Sequence, residues 1–258
     1  MRIALGIEYD GSGFCGWQVQ AGTRTVQGCL EPALAKIADH PVRVVCAGRT
    51  DTGVHALGQV VHFDTTARRP LHAWVFGTNT HLPPDVCVRW AREVPADFHA
   101  RYRALRRQYR YVIFNHSVRP ALGTGRVAWD YRPLDVAAMN AAAAHLLGEH
   151  DFSAYRACAC QAKSPVRTVY RLEVRRRGDY VEMDVEANAF LHHMVRNIAG
   201  VLMAIGAGER PPHWSREVLA LRDRTLGGVT APPGGLYFMR VWYPQAYDLP
   251  QAARDLLI

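Results

Sequence analysis

The 258-residue chain is 49% apolar, 10% aromatic and 21% charged, and its 31 basic residues exceed 23 acidic ones to give a net charge of +8. That composition excludes a disordered chain, a collagen-like repeat and a coiled coil. No apolar run approaches the ~18 residues that span a bilayer. Met1-Arg2-Ile3-Ala4-Leu5 runs straight into Glu8, Tyr9 and Asp10, so no signal peptide, no membrane partner and a cytoplasmic location are expected. In chain order, Arg2–Tyr9 is β-prone and ends in the turn signal Asp10-Gly11. Thr25 is an N-cap for a helix from Val26 to about Asp39, whose apolar positions follow helical spacing. Val42–Cys46 reads as a strand, Gly48 to Gly53 as a loop and Leu57–Phe63 as a strand. A short helix over Leu71–Asn79 and a strand over Val86–Glu93 complete a β-α-β-β-α-β order.

The order then repeats. Ala104–Asn115 is a long strand, and Asp135–Leu147 is an alanine-rich helix stopped by Gly148. Thr168–Arg177 and Tyr180–Ala187 form a hairpin around Gly178-Asp179, with Val181, Met183 and Val185 alternating against Glu182, Asp184 and Glu186. Leu191–Ala207 carries an apolar helical stripe, Trp214–Leu221 is a short helix and Leu236–Tyr243 is the last strand. The expectation is an α+β chain of two ferredoxin-like (RRM-like) domains, 1–103 and 104–258. Their antiparallel sheets would form a central cleft.

All but Lys36 and Lys163 of the basic residues are Arg. Arg presents a planar fork to phosphate, so nucleic acid is the leading partner class. The six cysteines make no C-x-x-C pair, so neither a structural zinc site nor a dithiol redox centre is expected, and the thiols should be free.

Three segments could carry chemistry. The first is Ala47-Gly48-Arg49-Thr50-Asp51-Thr52-Gly53-Val54-His55-Ala56, a polar stretch between two strands. It reads either as a surface turn with an exposed Arg49–Asp51 pair, or as a loop presenting an ionised Asp51 as nucleophile or general base. The second is Asn188 to Asn197, leading into the apolar helix. Arg196 beside the stripe serves either a structural ion pair or as a clamp on Asp51, and His192 and His193 are packing, capping or RNA contacts. The third is Phe98 to Tyr111, with five arginines and three tyrosines in fourteen residues. Arg suits phosphate and Tyr offers a flat face to an unpaired base; a solvated basic strand is the alternative. Phosphate-loop, dinucleotide, H-E-x-x-H and G-x-S-x-G signatures are missing, so cofactor-free carboxylate chemistry is expected, with no metal. A magnesium nuclease would need several clustered acids, and this loop has one.

The chain resembles the bacterial tRNA pseudouridine synthase A family. The resemblance rests on Gly48 to Ala56 and on six further blocks in the same order. These are Tyr9 to Gln18, Thr25-Val26-Gln27, Gly58 to Phe63, Phe98-His99-Ala100-Arg101 with Arg107 to Tyr111, His192 to Asn197, and Ala231 to Tyr237. Tyr155 stands where the family pattern has Phe. The resemblance implies isomerisation of uridine to pseudouridine at positions 38, 39 and 40 of the tRNA anticodon arm, by a homodimer that needs no cofactor or metal. It implies that Asp51 is the catalytic aspartate and that Arg49 contacts RNA or holds the flipped state. Tyr109 would pack against the target base, Arg196 would pair with the aspartate, and Leu236 would wall the uracil pocket. His55, from the same motif, and Arg107 are candidate substrate contacts. The alternative is a double RRM-like protein that binds RNA without altering it; such a protein does not need the Asp51 loop.

Overall fold

The computed structural model describes residues 1–158 and 160–250. The chain is mixed α+β and packs as two compact units: Met1–Arg106 with the described residues after Leu236, and Arg107–Leu236. The single cut expected after Arg103 falls close to the first boundary. It does not anticipate the second, at which the chain returns to the first unit.

In the first unit, β1 (Arg2–Tyr9) lies between β3 (His55–Asp64) and β4 (Val86–Val94), antiparallel to both. A central strand is covered on both faces, and six of the eight β1 residues are buried. Gly6 makes room for Trp90 on β4, whose indole would lie 2.1 Å from a Cβ there. β2 is only Val45–Cys46, paired antiparallel with Val61 and His62 of β3. The strand expected from Val42 is thus mostly unpaired chain, although Val42 and Val44 are buried. The last strand, β10 (Leu236–Trp242), runs parallel to the other end of β3, with Tyr237 opposite His55 and Phe238 opposite Ala56.

Helix α1 (Val26–Ala38) starts where Thr25 Oγ1 accepts the Gly28 N–H and stops at Asp39, which is left-handed at φ 58. It buries Leu30, Ala33 and Leu34. The helical stretch expected over 71–79 forms, but its middle, Ala73–Gly77, is a wider π-type turn. That turn carries Trp74 fully into the core, edge-on to Phe63 at 5.2 Å.

In the second unit β5 (Arg106–Asn115), β9 (Tyr180–Ala187), β8 (Val166–Arg177) and β7 (Gly148–Asp151) pair antiparallel in that order, and β6 (Ala128–Asp130) pairs parallel with β5. Sequence periodicity misses β6 and β7 because three or four residues are too few to show alternation. Helix α2 (Val136–Ala144) is capped by Asp135, which accepts two backbone N–H groups. Helix α3 (Met194–Gly206) begins three residues later than expected, because His193 takes a left-handed φ of 61 and cannot lie inside a helix. Helix α4 (Trp214–Leu221) matches expectation. The alternation on β9 is as read, yet its acidic side is not solvated: Glu182 is 7% exposed and Asp184 2%. Arg110 on β5 grips Asp184 through two hydrogen bonds of 2.9 and 3.0 Å, and Arg175 on β8 reaches both acids. Among the described residues no helix is long and apolar enough to cross a membrane.

Candidate active site

The loop between β2 and β3 carries Asp51, and short-range sequence chemistry does not by itself hold it. The side chain of Gln59 on β3 donates to Gly48 O at 2.6 Å and accepts the Gly48 N–H at 3.4 Å. Ala47 N–H donates to Val60 O at 2.8 Å. The buried hydroxyls of Tyr9 and Thr50 share a hydrogen bond of 2.8 Å, and Thr50 O accepts the Trp17 N–H at 3.0 Å. Burial pushes the Tyr9 phenol well above its ordinary range, so it stays neutral.

The segment from Asp10 to Trp17 closes over the same loop. It does so at two glycines. A Cβ on Gly11 would stand 2.0 Å from Val54 O, and one on Gly16, at φ +80, would stand 2.7 Å from Thr50 O. Within this clasp Asp51 is half-buried, Thr50 is buried and Arg49 is exposed. Cys46, at the loop's entry, is pushed up to about 11 by burial, with Arg49 pulling the other way. The thiol is therefore protonated at neutral pH and is no nucleophile.

His55 ends the loop as the first residue of β3 and is 2% exposed. Its Nδ1 accepts the Gly11 N–H at 3.0 Å and lies 3.1 Å from the Asp10 carboxylate. Its ring stacks on Tyr237 at 4.6 Å and 21°. His55, read from the sequence as a candidate substrate contact, thus sits as a strut under the loop.

The second unit holds the other expected residues. Tyr109 on β5 is 8% exposed and meets the Phe190 ring edge-on at 4.9 Å. Arg107, two residues earlier, is buried and donates to Asn188 O at 2.9 Å. Arg196 lies in the first turn of α3, with its Nε donating to Ala231 O at 2.8 Å and its own backbone O accepting the Ala231 N–H. Those two bonds tie the segment Ala231 to Leu236 to the helix. Tyr111 holds the same segment through Pro232 O at 2.8 Å, and Gly235 lets it lie against β5, where a Cβ would be 2.6 Å from Val112 O. Leu236 is buried at its end.

Arg49, Asp51 and His55 therefore share one braced loop, while Arg107, Tyr109, Arg196 and Leu236 belong to the second unit. Sequence reasoning missed the braces Tyr9, Gln59 and Tyr111. Their only signal was a polar atom in a β-strand otherwise suited to the core.

A half-buried carboxylate on a braced loop of a basic α+β chain suits acid-group chemistry on a polyanion. The comparisons make this specific. The family model described as tRNA pseudouridine synthase matches residues 6–103 and 142–244, and the chain belongs to that family. A protein of Nitrosococcus oceani named tRNA pseudouridine synthase A is 60% identical over 258 residues, covering 100% of both chains. Proteins with the same name from Alcanivorax borkumensis and Pseudomonas aeruginosa are each 59% identical, over 96% and 97% of this chain and 94% and 88% of their own. The chain is accordingly an isomerase of the pseudouridine synthase class acting on tRNA, and the non-catalytic RNA-binding alternative falls away.

Proposed function

We propose that the chain converts uridine to pseudouridine at positions 38, 39 and 40 of the tRNA anticodon arm, with Asp51 as its reactive carboxylate. The observation that carries this is the clasped loop: Asp51 is half-buried between two glycine contacts and two side-chain braces, inside a family whose reaction needs one acid and no redox step. The reaction breaks the N1–C1′ bond, turns the uracil and joins C5 to C1′; H5 leaves to solvent and N1 takes up a proton. Asp51 attacks C1′, or removes a ribose proton to give a glycal. The target base must leave its stack, at a cost of a few kcal/mol, and phosphate contacts elsewhere on the RNA offset it.

The family resemblance assigns Arg196 as the partner of the aspartate, Tyr109 as the ring that stacks on the turned uracil and Leu236 as an apolar wall of the pocket. Arg49 steadies the extruded nucleotide and Arg107 contacts the RNA backbone. His55 acts through the loop it supports. The proposal includes a homodimer in the cytoplasm that works without cofactor or metal. It also includes two ferredoxin-like domains, 1–103 and 104–258; the strand order β4-β1-β3-β2 in the first unit supports this.

The test uses an unmodified tRNA transcript carrying [5-³H]uridine, with EDTA present. The wild type should release tritium, because H5 is lost whenever C5 becomes the glycosidic carbon. Asp51→Ala and Asp51→Asn should release none while binding tRNA within a few-fold of wild type. Release by Asp51→Asn, or loss of tRNA binding by a folded Asp51→Ala protein, removes Asp51 from this role.

A further inference from the structure

One exposed aromatic has no part in the site above. Tyr102 is 75% exposed, yet its ring is held. It lies nearly parallel on the His99 imidazole, with centroids 4.2 Å apart and planes at 25°. His99 in turn is fixed, because its Nδ1 accepts the backbone N–H of both Arg101 and Tyr102 at 3.2 Å, and its far side meets His62 at 4.8 Å.

The chain beneath is anchored in the core of the first unit. Phe98 and Ala100 are fully buried, Tyr243 donates to Ala100 O at 2.6 Å, and Ala100 N–H donates to His62 Nδ1 at 3.1 Å. Burial and the Arg2 and Arg101 charges hold His99 below the ordinary histidine value, so the imidazole under the tyrosine is neutral at physiological pH. Arg101 is exposed with its guanidinium 5.9 Å from the ring centroid, and Arg106, four residues on from Tyr102 in the chain, is exposed as well. With three quarters of its surface exposed, Tyr102 keeps most of its ring in solvent.

We propose that the Tyr102–His99 pair is a stacking platform that receives one unpaired nucleobase of the RNA substrate, with Arg101 and Arg106 taking the flanking phosphates. The inference rests on the reading of the chain as a tRNA enzyme and adds to it a contact outside the residues that reaction uses. The chemistry favours a base over an apolar protein side chain. A flat, pre-stacked π-face costs no ordering when a base lands on it, and every base offers a matching face. The basic rim would repel a basic protein and attracts a polyanion. Stacking of this kind is sequence-tolerant, which suits an enzyme meeting several tRNAs.

The test measures binding of an unmodified tRNA transcript by filter retention, and tritium release from the same transcript, for Tyr102→Ala, Tyr102→Phe and Tyr102→Trp. Tyr102→Ala should raise Kd and KM about tenfold and leave kcat unchanged. Tyr102→Phe should stay within about twofold of wild type, Tyr102→Trp should bind at least as tightly, and the salt slope of binding should not change, since no phosphate contact is lost. An alanine variant that binds like wild type overturns the proposal. So does a phenylalanine variant as weak as alanine, which would assign the effect to the hydroxyl. If the wild type binds tRNA but releases no tritium, the pseudouridine reading fails, while the binding series still decides the platform.

Discussion

At the scale of single residues, the Asp51 loop depends on two positions that carry no side chain. Gly11 and Gly16 allow backbone from one segment to rest on backbone of another. A methyl group at Gly11 has no flexible neighbour to displace, because the atom it meets is the Val54 carbonyl oxygen. Gly11→Ala should lower stability by about 1–3 kcal/mol. It should also cut kcat by tenfold or more, since a shift near 1 Å at a reacting group costs on the order of a hundredfold. Thermal melts and tritium release at saturating tRNA measure the two effects separately. Gly11 was visible in the sequence as part of a turn signal, and Gly16 only as a member of the Tyr9 to Gln18 block. Their partners were not, because Gly11 and Val54 are far apart in the chain and no local pattern joins them. The same holds for Tyr9 and Thr50. Asp51 itself was legible, because a run of polar residues between two apolar strands must be a loop, and a lone acid beside an arginine has few uses in a core.

At the scale of elements, legibility followed length and backbone freedom. β1, β8 and β9 are long enough to show their pattern, whereas β6 and β7 are not. The start of α3 was displaced by one left-handed histidine that no periodicity reports. The alternation of β9 was legible, but not that Glu182 and Asp184 on its acidic side are buried between β5 and β8. Asp184 accepts from Arg110 and also lies 3.0 Å from Arg175. Removing one partner leaves a buried charge uncompensated, so Asp184→Asn should cost about 3–5 kcal/mol. Replacing Arg110 by Met and Asp184 by Leu together should recover most of that loss. Urea unfolding of both variants beside wild type checks both statements, and a single variant that melts with wild type would show that these ion pairs contribute little.

At the scale of the whole molecule, stability should depend on pH through a buried histidine on β3 that the proposed reaction does not use. Burial, with the His99 and Arg2 charges adding to it, lowers His62 from 6.5 to about 4. In the unfolded chain that imidazole takes up a proton near pH 6.5, and in the folded protein only near 4. The unfolded state therefore binds more protons across this window, and the contribution is complete above about pH 6.5 and lost as the pH falls towards about 4. His62→Asn keeps an acceptor for the Ala100 N–H but cannot titrate, so its Tm should fall less than that of the wild type between those limits. Equal slopes would assign the acid sensitivity to other groups.

The return of β10 to the first unit carries a consequence for how the protein is made. Tyr237 is the ring on which His55 stacks beneath the Asp51 loop. On the ribosome, Tyr237 emerges roughly 180 residues after His55, a delay on the order of ten seconds or more at usual elongation rates. Until then the Asp51 loop lacks the ring on which His55 stacks, so its support is completed by chain made long after the loop itself.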